Sequence, residues 1–192
     1  MEKTVRVTAF LLIFLTSSLS SVRALVYHSD SQNMTQTIKD TKLWVDSFDG
    51  TRDQWTKNGV SPYLDNQDQT GNYVYGIANG LGSRQGDKIG DYGFEDHAQT
   101  GTIISVELKV YGHANSQHPN QNYFSVYLWD GSSWRYVMDF KGASGYIWKE
   151  ADITSYLDTW EKVNQAKIYL QTESKGDRGG QSCDAALLVV RY

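Results

Sequence analysis

Seven aromatic residues crowd into the stretch from Asn122 to Phe140, NYFSVYLWDGSSWRYVMDF, around an Asp130-Gly131 pair. Rings at that density make a core, a platform for a ligand, or a surface that meets another copy of the chain. Period-two spacing sorts them. Phe124, Val126 and Leu128 point to one face, and Tyr123, Tyr127 and Trp129 to the other. Asp-Gly favours the positive φ angles of a tight hairpin, so a partner strand should run back through WRYVMDF. The apolar trio makes a core face, and the three rings opposite lie off it.

Other residues capable of chemistry are sparse. Glu150 and Asp152 alternate onto one strand face, but glycoside hydrolysis needs two carboxylates flanking the scissile bond, and no matching acid stands elsewhere. His113 and His118 bracket the loop HANSQH, which reads either as a metal site or as an ordinary solvated loop. Cys183 is the only cysteine, so no intrachain disulfide can form; without a histidine close by in sequence it reads as a small buried apolar residue. No G-x-S-x-G, H-E-x-x-H or phosphate-cradling Gly-Lys motif is present. The Gly-rich SKGDRGGQS lacks the strand-to-helix setting that phosphate binding requires. The expectation is a protein without catalysis.

The elements that must position the rings are strands. From Leu43 onward, Gly, Asn, Asp and Ser clusters punctuate segments of alternating polarity. In TIISVELKVYGH, Ile104, Val106, Leu108 and Val110 oppose Ser105, Glu107, Lys109 and Tyr111. Further strands are expected at LWVDSF, NYVYGI, IGDYGF, YIWKEAD, AKIYLQTE and CDAALLVVRY. One segment breaks the rhythm: Ile153, Tyr156, Leu157 and Trp160 fall at helical spacing, with Asp152 or Thr154 available as a cap. The prediction is an all-β, antiparallel two-sheet jelly-roll sandwich with one short amphipathic helix at 153–161.

Composition bounds where such a domain acts. MEKTVR is a basic start, VTAFLLIFL an apolar run, and TSSLSSVRA a small-residue exit, the pattern of a secretory signal peptide at 1–24. The apolar run is shorter than the roughly 20 residues of a membrane span. Residues 25–42 read as a flexible arm with a sequon at Asn33-Met34-Thr35, and 43–192 as one domain. Losing Lys3, Arg6 and Arg23 against Glu2 takes the formal charge from −4 to −6. With no basic block, nucleic acid is not an expected partner, and an anionic surface discourages anionic lipid. The expected location is outside the cell, with no membrane insertion once the signal is removed.

SFDGTRDQWTKNG, the strand–DGSSW–strand hairpin, the step from Trp148 to Thr154 and the closing CDAALLVV together resemble jelly-roll carbohydrate-binding modules of the galactose-binding-like type, over residues 43–191. That resemblance implies a structural calcium between the first and last strands, at Asp46, Asp49 and Asp184; calcium takes 6 to 8 oxygen ligands. Asp49 also reads as a turn residue bonding its own backbone. The resemblance further implies a glycan site, with Tyr111, Tyr123, Tyr127 and Trp129 as the platform and Glu107 and Lys109 nearby. Pyranose C–H surfaces stack on π-faces while polar neighbours take the hydroxyls. The loops YLDNQDQTGNY and HANSQHPNQN are the other place for such a site.

The expected function is therefore a secreted, non-catalytic module that binds a glycan or polysaccharide. The alternative is a subunit that assembles with other copies of itself into an extracellular filament or sheath, its arm donated as a strand. CDAALLVV is apolar on both faces, which marks either a central strand or one capped by a partner.

Overall fold

Alternation of apolar and polar side chains favours strands that bury one face, and the chain builds little else. The computed structural model describes residues 37–64, 72–78, 86–98, 100–114, 123–141, 145–173 and 179–192, and a compact unit spans Ile38–Tyr192. The signal peptide expected at 1–24, residues 25–36 of the arm expected at 25–42, with the sequon, and most of the loops YLDNQDQTGNY, HANSQHPNQN and SKGDRGGQS lie outside the described residues.

In chain order the elements are β1 (Asp40–Asp53), β2 (Thr56–Asn58), β3 (Tyr73–Ala78), β4 (Lys88–Phe94), β5 (Ser105–Ala114), β6 (Phe124–Trp129), β7 (Trp134–Phe140), β8 (Ile147–Asp152), α1 (Trp160–Asn164), β9 (Lys167–Thr172) and β10 (Gly179–Arg191). Every pairing is antiparallel. In the first sheet β10 is central, with β5 and then β8 on one side. β3 with β2, and the first part of β1, take its other side. The second sheet runs β1-β4-β9-β6-β7. β1 serves both: Asp40 to Trp44 pair with β10, and Val45 to Asp53 pair with β4 through two register shifts. The result is an antiparallel two-sheet sandwich of jelly-roll type.

The core lies between the sheets. Val106, Leu108 and Val110 of β5 are fully buried from one side, and Phe124, Val126 and Leu128 of β6 from the other. Each such side chain contributes about 1.5–3 kcal/mol by leaving water. Phe124 stacks on Phe140 at 4.6 Å and takes Trp55 edge-on at 5.8 Å. β10 is apolar on both faces because it is central: outward-facing Ala185 and Leu187 are buried within the chain itself.

The helix differs from expectation. Ile153 O accepts from both Tyr156 N and Leu157 N, but the chain makes only that one turn. The helix proper, α1, starts later, capped by Thr159, whose hydroxyl accepts from Lys162 N. The cause is local competition for hydrogen bonds. Asp152 Oδ1 accepts from Thr154 N at 2.9 Å and Thr154 Oγ1 at 2.6 Å, while Thr154 Oγ1 accepts from Val106 N of β5 at 2.9 Å. The turn is thus pinned to the sheet instead of continuing. The stripe still packs, with Ile153 and Leu157 fully buried.

Candidate functional site

β6 sends Tyr127 and Trp129 outward because Phe124, Val126 and Leu128 occupy the core side. The turn that follows is built by Asp130. Its Oδ1 accepts from Ser132 N, Ser132 Oγ and Ser133 N, each within 2.8 Å, and its Oδ2 from Arg135 Nε at 2.7 Å. The bond from Arg135, followed by those from the serines, holds this carboxyl well below the usual range. Gly131 takes φ +92°, as the turn chemistry requires. The hairpin then sets Trp134 opposite Trp129 and Tyr136 opposite Tyr127.

Register lines these residues up across the second sheet. Tyr127 faces Tyr136 of β7 on one side and Tyr169 of β9 on the other. Tyr169 is opposite Gly90 of β4, and Gly90 is opposite Arg52 of β1. One transverse row therefore runs Arg52, Gly90, Tyr169, Tyr127, Tyr136 over five strands, roughly 20 Å at ordinary strand spacing. The row on one side is Lys167, Trp129, Trp134. The row on the other is Lys88, Gln171, Ser125, Asp139.

Gly90 makes the central row possible. At φ +149°, a Cβ there would come within 2.6 Å of Tyr169 Cβ and 2.8 Å of the Ile168 carbonyl. With that space left open, the Arg52 guanidinium lies 4.4 Å from the Tyr169 ring centroid and 4.6 Å from that of Trp134. Such cation–π contacts stabilise by about 0.5–2 kcal/mol. Arg52 also forms an ion pair with Asp91, which is only 9% exposed. Tyr127 stacks on Tyr169 at 4.7 Å with 7° between the planes, and Trp134 meets Tyr169 edge-on at 4.7 Å. Packed against all three, Tyr169 is 6% exposed, whereas Tyr136 at the end of the row is 52% exposed.

The electrostatics keep donors and acceptors side by side. Burial, then the carboxylates of Glu173 and Asp139, raises the Tyr127 phenol; burial and Asp139 raise Tyr136. Burial also raises Tyr169. All three hydroxyls are donors at neutral pH. Burial alone would push the Asp139 carboxyl up, but bonds from Lys141, Ser125 and Tyr136 bring it below its ordinary value. Gln171 Nε2 donates to Glu173 Oε1 at 2.8 Å. The face thus offers flat rings bordered by polar pairs.

Tyr123 precedes β6, with Lys141 Nζ 4.2 Å over its ring, so it joins Tyr127 and Trp129 at this sheet. Tyr111 does not. It sits on the first sheet opposite Ala185 and Trp148, packed on Tyr146 at 5.3 Å and Trp148 at 5.0 Å. Glu107 and Lys109 lie on the same first-sheet strand. Trp134, Tyr136, Tyr169 and Arg52 complete the face and were not among the expected site residues. The Ile168 and Leu170 alternation carried a signal for Tyr169; nothing local marked Arg52.

The carboxylates expected to hold calcium are placed differently from one another. Asp46 is exposed on β1, and Asp184 is fully buried in β10. Asp49 accepts from Thr51 N, Asp91 N and Lys167 Nζ. Among the described residues no three His, Cys, Asp or Glu side chains gather as a metal site. With a lysine already on Asp49, the three carboxylates as placed do not fit a shared ion.

No protein-family model matches this sequence, and no curated protein matches it. Among solved structures it is similar to a mutant family 29 carbohydrate-binding module complexed with mannohexaose. That likeness has a TM-score of 0.40 and 9% identity, over 79% of this chain and 92% of the other.

Proposed function

We propose that this chain is a secreted, non-catalytic glycan-binding module whose contact surface is the outer face of the second sheet. The observation that carries the reading is the register-locked row of Tyr169, Tyr127 and Tyr136, flanked by Trp129 and Trp134 on one side and by Gln171, Ser125 and Asp139 on the other. Tyr136 and the half-buried Tyr127, backed by the buried Tyr169, present stacking surface to sugar units, and the bordering amide of Gln171 and carboxylate of Asp139 suit their hydroxyls. The leader at 1–24 supports an extracellular location. Assembly with other copies is the competing reading, but the doubly apolar β10 that favoured it has an explanation within one chain.

Affinity electrophoresis of residues 25–192 through gels carrying soluble polysaccharides tests the proposal. Tyr136→Ala and Tyr127→Ala should each migrate faster than wild type in the retaining gel and identically in a blank gel. Folded variants retained as strongly as wild type would overturn it.

A further inference from the structure

The charges on the second sheet's outer face narrow the class of ligand, an inference that rests on the glycan reading above. Among the described residues, four cations border the rings. Arg52 is ion-paired with Asp91, Lys167 with Asp49 at 3.2 Å, and Lys141 with Asp139 at 2.6 Å. Lys88 Nζ lies 5.3 Å over Tyr169. Four carboxylates match them: Asp91, Asp49, Asp139 and, beside Gln171, Glu173.

We propose that this face selects neutral glycans over acidic ones, and that the Arg52–Asp91 pair is the specificity-determining element at its β1 end. A uronate or sulfate group would gain from Arg52 only by competing with Asp91 for the same guanidinium. It would also approach a carboxylate of its own sign, and like charges brought together reject the wrong partner. Hydroxyls face no such penalty. A paired guanidinium keeps free N–H donors and a paired carboxylate keeps free lone pairs, so each ion pair offers both kinds of hydrogen bond to a neutral sugar. Arg52 is held for this role from three sides, by the rings of Tyr169 and Trp134 and by Asp91.

The test compares gels carrying a neutral glucan, a neutral galactomannan and polygalacturonate. Wild type should be retarded by at least one neutral polymer and pass polygalacturonate freely. Asp91→Asn leaves the Arg52 charge unopposed and should raise retention on polygalacturonate relative to the neutral gel by about tenfold, as one charge-assisted contact would. Asp139→Asn, which frees Lys141 at the other end of the row, should act in the same direction and serves if Asp91→Asn fails to fold. Wild type retarded by none of the gels would sink the glycan reading itself. Wild type held by polygalacturonate as strongly as by a neutral polymer would leave that reading standing and overturn the selectivity. Folded variants whose preference does not shift would overturn the assignment of that selectivity to the ion pairs.

Discussion

Two tryptophans mark the difference between a ring that serves the core and one that serves the surface. Trp55 is 4% exposed and meets Phe124 edge-on at 5.8 Å. Trp129 is half-buried and leans on Trp134 at 5.6 Å. Truncating a buried Trp costs about 3–5 kcal/mol in lost contacts and cavity. Trp55→Ala should show that loss in urea melts, whereas Trp129→Ala should cost far less and still weaken polysaccharide retention. Equal destabilisation in the two variants would make Trp129 a core residue and remove it from the platform.

Among the elements, one carboxylate of β1 adds side-chain bonds to β4 and to β9 beyond it. Asp49 Oδ1 accepts from Thr51 N at 2.9 Å and from Asp91 N of β4 at 3.3 Å, and Oδ2 from Lys167 Nζ of β9 at 3.2 Å. Burial works to raise this carboxyl, but those bonds outweigh it and hold it at about 2 instead of 3.8. A folded-state pKa below the unfolded one stabilises the fold above about pH 4, and that contribution is lost as pH falls toward about 2. Urea midpoints should decline across that window, and Asp49→Asn should flatten the decline. An acid limb equally steep in the variant would contradict the assignment. The same occupied carboxylate bears on a calcium bridge between β1 and β10. Melting curves in calcium and in chelator should superimpose. An ion bound only to the native state at a hundredfold excess over its Kd would instead separate them by about 2.7 kcal/mol of stability.

Much of this element structure was legible, for a physical reason. A half-buried strand must alternate, so TIISVELKVYGH and NYFSVYLW announced both their conformation and their buried faces. Alternation reports a face, however, not a sheet, which is why Tyr111 seemed to share a platform with Tyr127. The helix shifted because Thr154, already bonded locally to Asp152, also accepts from Val106 N, a contact that only the fold brings about. Arg52 belongs to the site through the β1–β4–β9 register and the missing side chain at Gly90, neither of which leaves a local pattern.

For the molecule as a whole, the sandwich presents two outer faces that both carry aromatic rings. The second sheet has the transverse row with its polar borders. The first sheet has Trp44, Tyr111, Tyr146 and Trp148 packed together, with Trp44 and Trp148 at 6.4 Å. The glycan account commits to the second. The chain's six tryptophans happen to report on the choice. Trp129 and Trp134 lie on the second sheet's face and Trp44 and Trp148 on the first's, while Trp55 is in the core and Trp160 begins α1. Each gives one indole N–H signal in an NMR spectrum of isotope-labelled residues 25–192. Titration with the soluble polysaccharide that retards the protein should shift the Trp129 and Trp134 signals in a saturable way and leave Trp44 and Trp148 in place. Shifts confined to Trp44 and Trp148, or no saturable shift at any of the six, would contradict the central claim.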